Sequence, residues 1–271
     1  MMYVKKEVIK KQPIVIWALY DDAESSYQKS IKKYFDKKFI VYSIGINDPK
    51  NIKFKNSKYY KYKQIDLSLT NFNLIKQLSE LEHPDIILAS PPCESWSGAD
   101  CGAKMFTKIT STSNDQENST SIWEVKNRKF YKNYNKTCHP VKRRQFLQKE
   151  IGRIIGVATI GATINIIETF NPKVWLIENP ATSKTWEFQK EHWDFHTGYF
   201  ENKTYYSSYD SEFSLKPTIF KSNVKLDLLT TRVKGNNDHM ARGSYSKRSS
   251  IPSELVKDLI ENIINYLDFE N

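Results

Sequence analysis

Two short stretches of this chain carry residue types that do chemistry. Cys93 stands in Ala89-Ser90-Pro91-Pro92-Cys93-Glu94-Ser95-Trp96-Ser97, directly after the apolar run Ile86-Ile87-Leu88-Ala89. Glu178 stands in Glu178-Asn179-Pro180, directly after Val174-Trp175-Leu176-Ile177. Each apolar run reads as a buried strand, so a thiol and a carboxylate are each expected at the carboxyl end of a strand. That pair suits attack on an electron-poor ring that is protonated as it is attacked, and cytosine is such a ring. A thiolate adding to its sixth carbon makes an enamine of the ring, and carbon 5 becomes reactive. A free thiol titrates near about 8.5, so ionisation at neutral pH needs a cation or a helix terminus nearby. Negative charge building at nitrogen 3 calls for an acid, and Glu178, partly buried and neutral, is the candidate donor. Asn179-Pro180 would stiffen the turn and aim it.

Each stretch alone is an ordinary turn; the two together, in order and each after an apolar strand, are specific. The other cysteines, Cys101 and Cys138, lack comparable context. An odd count of three cysteines with no regular spacing argues against a disulfide framework and for a reducing compartment, hence a cytoplasmic protein. His139 and the segment His192-Trp193-Asp194-Phe195-His196 lack a Cys-x-x-Cys partner and read as surface or packing residues rather than metal ligands.

The elements that would hold these groups alternate. Residues 13–20 read as a buried strand, a helix follows with Ser25 or Ser26 as its N-cap, and residues 39–44 form a second strand. Residues 49–63 read as a loop, 64–67 as a short strand, and 70–82 as a helix with Phe72, Ile75, Leu78 and Leu81 inward. Residues 107–121 are polar and of low complexity. A largely buried helix is expected over 145–170, a hairpin over 199–220 and an amphipathic closing helix over 252–267. This alternation predicts an α/β fold, Rossmann-like, with a mainly parallel sheet and helices on both faces. Ligands of such sheets gather at the carboxyl ends of the strands.

The 271 residues suffice for one large core, with 41 Lys and Arg against 31 Asp and Glu, a net charge of +10. A basic surface favours polyanions. Residues 123–144 mix Trp123, Phe130, Tyr131 and Tyr134 with basic side chains, as a DNA-facing segment would. No stretch offers ~18 uninterrupted apolar residues, and no membrane partner is expected.

With those residues in view, the chain resembles the DNA cytosine-5 methyltransferases, in particular short phage and prophage forms. Ala89–Ser97 looks like their nucleophile motif and Trp175–Pro180 like their glutamate motif. Tyr205-Tyr206-Ser207-Ser208-Tyr209 with Lys216-Pro217-Thr218-Ile219-Phe220 resembles a segment of the phage-type members, and Arg248–Leu255 their closing motif. The resemblance implies double-stranded DNA as partner, S-adenosylmethionine as methyl donor, base flipping, a transient Cys93 adduct and a monomeric enzyme. It implies a methyltransferase domain over 1–200, with 98–145 inserted as a DNA-contacting loop. A small target-recognition region over 201–247 and a closing helix over 248–271 would complete it. Catalytic roles fall to Cys93, Glu178 and Asn179; DNA contacts to Ser95, Ser97, Lys126, Arg128, Lys142, Arg143, Arg144, Lys216 and Thr218.

The donor site departs from the family pattern. The first loop, residues 19–26, has no glycine, and none precedes Gly45, which stands where an acid is expected. A rearranged pocket of Tyr20, Asp21, Asp22, Glu24 and Asp48 is expected instead. Amides after Ser25, Ser26 among them, would meet the donor carboxylate, with Asp66 at the adenine and Pro91 alongside. The competing expectation is a catalytically silent DNA-binding relative that lost donor binding.

Overall fold

A computed structural model describes residues 13–21, 25–52, 56–97, 106–109, 122–239 and 245–269; at 106–109, 122–124, 245 and 246 it describes the backbone alone. Its main sheet has seven strands in the order β3-β2-β1-β4-β7-β9-β8. These are β1 (Ile14–Leu19), β2 (Phe39–Gly45), β3 (Tyr60–Gln64), β4 (Ile86–Ala89), β7 (Val174–Pro180), β8 (Phe200–Tyr205) and β9 (Pro217–Ser222). The first five strands in space run parallel, and β9 runs antiparallel to both of its neighbours. A second sheet pairs β5 (Phe106–Ile109) with β6 (Ile122–Val125).

Continuous apolar runs make β1, β2 and β4 because both faces of the sheet are covered. One face packs under α2 (Leu74–Ser79) and the carboxyl half of α4 (Phe146–Phe170), with Trp17, Leu78, Ile160 and Trp175 in one cluster. The other face packs under α1 (Ser26–Phe35) and α7 (Ser253–Phe269), with Ile31, Leu88, Leu255 and Leu259 in the second. The remaining helices are α3 (Arg128–Thr137), α5 (Thr185–His192) and α6 (Tyr245–Ser249). This is the Rossmann-like α/β fold expected. The turn from β1 outward to β2 on one side and to β4 on the other sets a switch point between β1 and β4.

Several elements sit differently from their sequence patterns. The third strand lies at 60–64, not 64–67, because Tyr60 and Tyr62 alternate inward between outward lysines and pair with β2. Helix α2 begins only at Leu74, which leaves Phe72 almost fully exposed. Helix α4 is buried from Gly156 onward, whereas Leu147, Ile151, Ile154 and Ile155 of its first half are exposed. The best apolar window of the segment 140–170 has mean hydropathy 1.4, enough by composition for a membrane span, but over half of it is buried in the protein. The 199–220 hairpin is β8–β9 and belongs to the main sheet.

Candidate active site

Strands β4 and β7 are neighbours in register Ala89↔Ile177, so their exits release Ser90 and Glu178 side by side. Past β4 the chain makes a tight turn in which the Trp96 and Ser97 amides donate to the Cys93 carbonyl. This loop rests on α4. A Cβ on Gly156 would come within 2.8 Å of the Trp96 indole nitrogen and 3.0 Å of the Ser95 Cβ, so only a glycine admits the contact. Ser95 donates to the Gly152 carbonyl. Trp96 is buried against Phe188, and its carbonyl accepts from the Lys184 amide. Asn179, fully buried, donates to the Pro91 carbonyl at 3.2 Å and accepts from Ser183 at 2.9 Å. The turn that holds Cys93 and the turn that holds Glu178 are thereby pinned to one another.

Glu178 is buried, and its Oε1 accepts from the Tyr206 phenol at 3.1 Å and from the Lys216 ammonium at 3.3 Å. Among the described residues Oε2 accepts no hydrogen bond. The same ammonium lies 4.4 Å over the Tyr206 ring. Burial pushes the Cys93 thiol up; Lys216 draws it down in part, and Glu178 and Glu94 push it up again. Burial, then Glu178, holds Tyr206 well above the usual phenol range, and Cys93 adds to it. Tyr27, hydrogen bonded to Ser90 at 2.8 Å, is raised by burial and then by Glu178. Cys93, Glu178, Lys216 and Tyr206 therefore share one electrostatic neighbourhood.

Lys216 is expected at DNA phosphates from the sequence. It is instead mostly buried against Glu178, brought there because β9 pairs antiparallel with β7, Pro180 opposite Thr218. Thr218 is fully buried, and Ser95 is buried with its hydroxyl used by Gly152. Neither reaches the surface for DNA in this structure. Ser97 is half-buried in the nucleophile turn. Arg128, Lys142 and Arg143 are exposed as a DNA contact requires; Lys126 lies 4.4 Å over the Phe130 ring, and Arg144 is tied to Asn135 through its backbone. Sequence reasoning misses Tyr206 as a site residue. Its neighbours in sequence are aromatic and polar, and only the β7–β9 register discloses that it meets Glu178.

The expected donor residues close on one another. Asp21 is buried, and its carboxylate accepts from the Tyr27 amide at 3.1 Å, the Gln28 amide at 3.4 Å and the Ser43 hydroxyl at 2.6 Å. It caps α1, in place of Ser25 or Ser26: Ser25 occupies the N-cap position without a side-chain bond. Ser26 instead accepts from the Ile251 amide and ties α1 to the approach of α7. Tyr20 turns its hydroxyl inward to the Leu67 and Thr159 carbonyls, at 2.6 and 2.9 Å. Tyr20 and Ser25 both have left-handed φ, 56° and 54°, a region that favours glycine. Asp48 caps the short turn at Lys50, Asp66 is exposed, and Pro91 is buried. Asp22 and Glu24 lie outside the described residues, as does Cys101. A cavity of about 340 Å³ between α1 and α7 has Ser26 in its wall but none of Tyr20, Asp21, Asp48, Asp66 or Pro91. A donor carboxylate at the α1 amides would meet the Asp21 carboxylate already there. These residues do not fit S-adenosylmethionine in the expected manner.

No cluster of three or more His, Cys, Asp or Glu suited to a metal occurs among the described residues. His192 stacks on Phe188, and His196 pairs with Asp194.

No family model and no curated protein matches the chain. Solved structures that match include a protein described as a DNA modification methyltransferase of an E. coli prophage, at 14% identity and TM-score 0.44, over 82% of this chain and 53% of that one. Another is the Entamoeba histolytica methyltransferase EhMeth, at 12% identity and TM-score 0.43, over 83% and 58%. A third is a Spodoptera frugiperda DNMT2 mutant, at 13% and 0.40, over 82% and 54%. This chain thus spans between 53% and 58% of the length of these three structures. Likenesses this distant stand beside the sheet order and lend nothing to the chemistry, which rests on the side chains around Glu178.

Proposed function

We propose that the chain is an enzyme acting at carbon 5 of cytosine in DNA, of the DNA cytosine-5 methyltransferase kind, with Cys93 as nucleophile. The observation that carries this is a buried carboxylate bonded to Lys216 at the exit of β7, beside the exit of β4 that leads to Cys93; the Lys216 charge draws the thiol down against its burial. The target base leaves the duplex at a cost of about a few kcal/mol. The Cys93 thiolate, favoured by the Lys216 ammonium, forms a bond to carbon 6. The electron pair of the 5,6 double bond moves through carbon 4 to nitrogen 3, where a proton shared with Glu178 receives it. Carbon 5 is then an enamine carbon that bonds to an electrophile; loss of the carbon 5 proton and expulsion of the thiolate restore the ring. Among the expected donor residues, Tyr20, Asp21 and Ser26 are engaged with the protein itself, so no step is routed through S-adenosylmethionine. Arg128, Lys142 and Arg143, exposed at α3 and the turn before α4, are the phosphate contacts of this reading.

The test needs no donor. When water supplies the electrophile, carbon 5 takes a proton, and reversal releases the original hydrogen. Duplex DNA labelled with tritium at cytosine carbon 5 should therefore lose label to water with the wild-type protein and not with Cys93→Ala. Release from RNA but not from DNA would move the substrate to RNA.

The Asp21 cap favours a second reading, a silent relative that binds DNA without turning it over. It predicts no tritium release, and no heat in calorimetry up to millimolar S-adenosylmethionine. Binding of the donor to wild-type protein would sink it.

A further inference from the structure

We infer that Tyr206 is a positioning residue for Glu178, an assignment that rests on the cytosine reading of the site. The carboxyl has two oxygens, and among the described residues only one of them is occupied. Oε1 is held by the Tyr206 hydroxyl at 3.1 Å and the Lys216 ammonium at 3.3 Å. Among the described residues Oε2 is left for the base. The phenol is itself fixed: Tyr206 is fully buried, and its oxygen accepts from the Lys216 ammonium at 3.4 Å. A phenol has one proton to donate. With Lys216 on its acceptor side, that proton is directed to Glu178. The resulting order, Lys216 to Tyr206 to Glu178, fixes the carboxyl plane without touching the base.

Lys216 alone would not achieve this. An ammonium rotates three equivalent protons on a flexible stem, whereas a phenol in a packed ring has one direction. Tyr206 directs the carboxyl toward the ring, and Lys216 supplies charge to both Glu178 and Cys93. Removing the phenol oxygen leaves a buried carboxylate with one partner and freedom to turn, so the loss falls on the bond-making step and not on DNA affinity.

The experiment follows tritium release from cytosine carbon 5 in duplex DNA, from pH 5.5 to 9, for the wild type and Tyr206→Phe. Tyr206→Phe should lower the limiting rate roughly ten-fold, the scale of one hydrogen bond to a buried charge, with the half-saturating DNA concentration unchanged. Its acid limb should move relative to the wild type. Equal melting temperatures confirm that the fold survives. A Tyr206→Phe protein with the wild-type rate and acid limb, or one altered only in DNA affinity, overturns the positioning role alone. A wild-type protein that releases no tritium from DNA overturns the cytosine reading and the positioning role with it.

Discussion

Two ends of the same sheet edge use similar residues for opposite purposes. At the β4–β7 exits, Glu178, Tyr206 and Lys216 bond in a way that leaves one carboxylate oxygen without a hydrogen bond from the described residues. At the β1–β2 exits, Asp21 and Ser43 close on each other and on the α1 amides, and Tyr20 turns into the core. Buried polar groups are satisfied at both ends, as burial requires. The first end is satisfied with capacity left over, and the second is saturated. The lesson is that an acid at a strand end is a site residue only if its neighbours leave an oxygen open.

The largest expected effects break the first end. Cys93→Ala removes the only nucleophile in the scheme and should abolish tritium release. Glu178→Gln should slow it by roughly two to four orders of magnitude, the range for an acid catalyst. A near-normal rate for Glu178→Gln, measured on the same labelled DNA, would reduce Glu178 to a packing residue and erase the contrast.

A second test concerns what brings DNA to that end. The affinity of the wild-type protein should fall steeply with added salt. Replacing Arg128, Lys142 and Arg143 by Ala should lower the slope of log affinity against log salt by up to about three, roughly one for each phosphate no longer neutralised. An unchanged slope places the phosphate-binding groups elsewhere.

The saturated end is tested by Asp21→Ala. Loss of a helix cap costs about 0.5–2 kcal/mol, and the Ser43 hydroxyl also loses its acceptor, so urea unfolding should shift toward the upper part of that range. The variant also frees the Tyr27 and Gln28 amides. If Asp21 is what excludes a donor carboxylate, calorimetry with S-adenosylmethionine should give heat for the variant and none for the wild type. Heat of equal size for both would show that the donor binds without those amides.

Much of this contrast was legible in the chain and its decisive part was not. Apolar runs before Cys93 and Glu178 located β4 and β7, because a strand buried on both faces leaves a continuous apolar signature. Glycine-free residues 19–26 marked an unusual first loop, and the loop indeed holds Tyr20 and Ser25 in left-handed conformations. What Asp21 does was hidden, since an acid a few residues before a helix reads alike as ligand or cap. Lys216 and Tyr206 were hidden for a different reason. Their approach to Glu178 depends on the antiparallel insertion of β9 between β7 and β8, a long-range register that no local pattern encodes. Phe72 was misplaced because periodicity ran on past the true start of α2.

A thiol probe sharpens the first end further. Burial raises the Cys93 thiol and Lys216 partly offsets this. Alkylation by iodoacetamide should therefore be slower at pH 7 than for a free thiol and should quicken as pH rises past the ordinary thiol range. Lys216→Met removes the ammonium, so its rate profile should move to still higher pH. A shift to lower pH would mean that Lys216 acts on Cys93 mainly by holding Glu178 close, and not by its own charge.

The smallest expected effect concerns Lys221, a buried lysine of β9, which separates charge from position. Lys221 pairs across to Ile177 on one side and Glu201 on the other. Its ammonium is held by Gln189 and the Phe195 carbonyl and lies over the Phe195 and Tyr199 rings. Burial outweighs the Glu201 charge and lowers its pKa from 10.5 to about 8. Below pH 8 both folded and unfolded chains are charged there, and the folded chain bears the desolvation cost. Between about 8 and 10.5 the folded chain has released the proton and the unfolded chain still binds it, so raising the pH through this window stabilises the fold. The raised phenols of Tyr206 and Tyr27 act in the opposite sense once the unfolded tyrosines ionise, near about 10. The comparison is therefore made between pH 8 and 9.5, as the difference in urea midpoint between the wild type and Lys221→Met. That difference should move in favour of the wild type as pH rises. A constant difference would mean that the Lys221 charge is solvated as well in the fold as outside it.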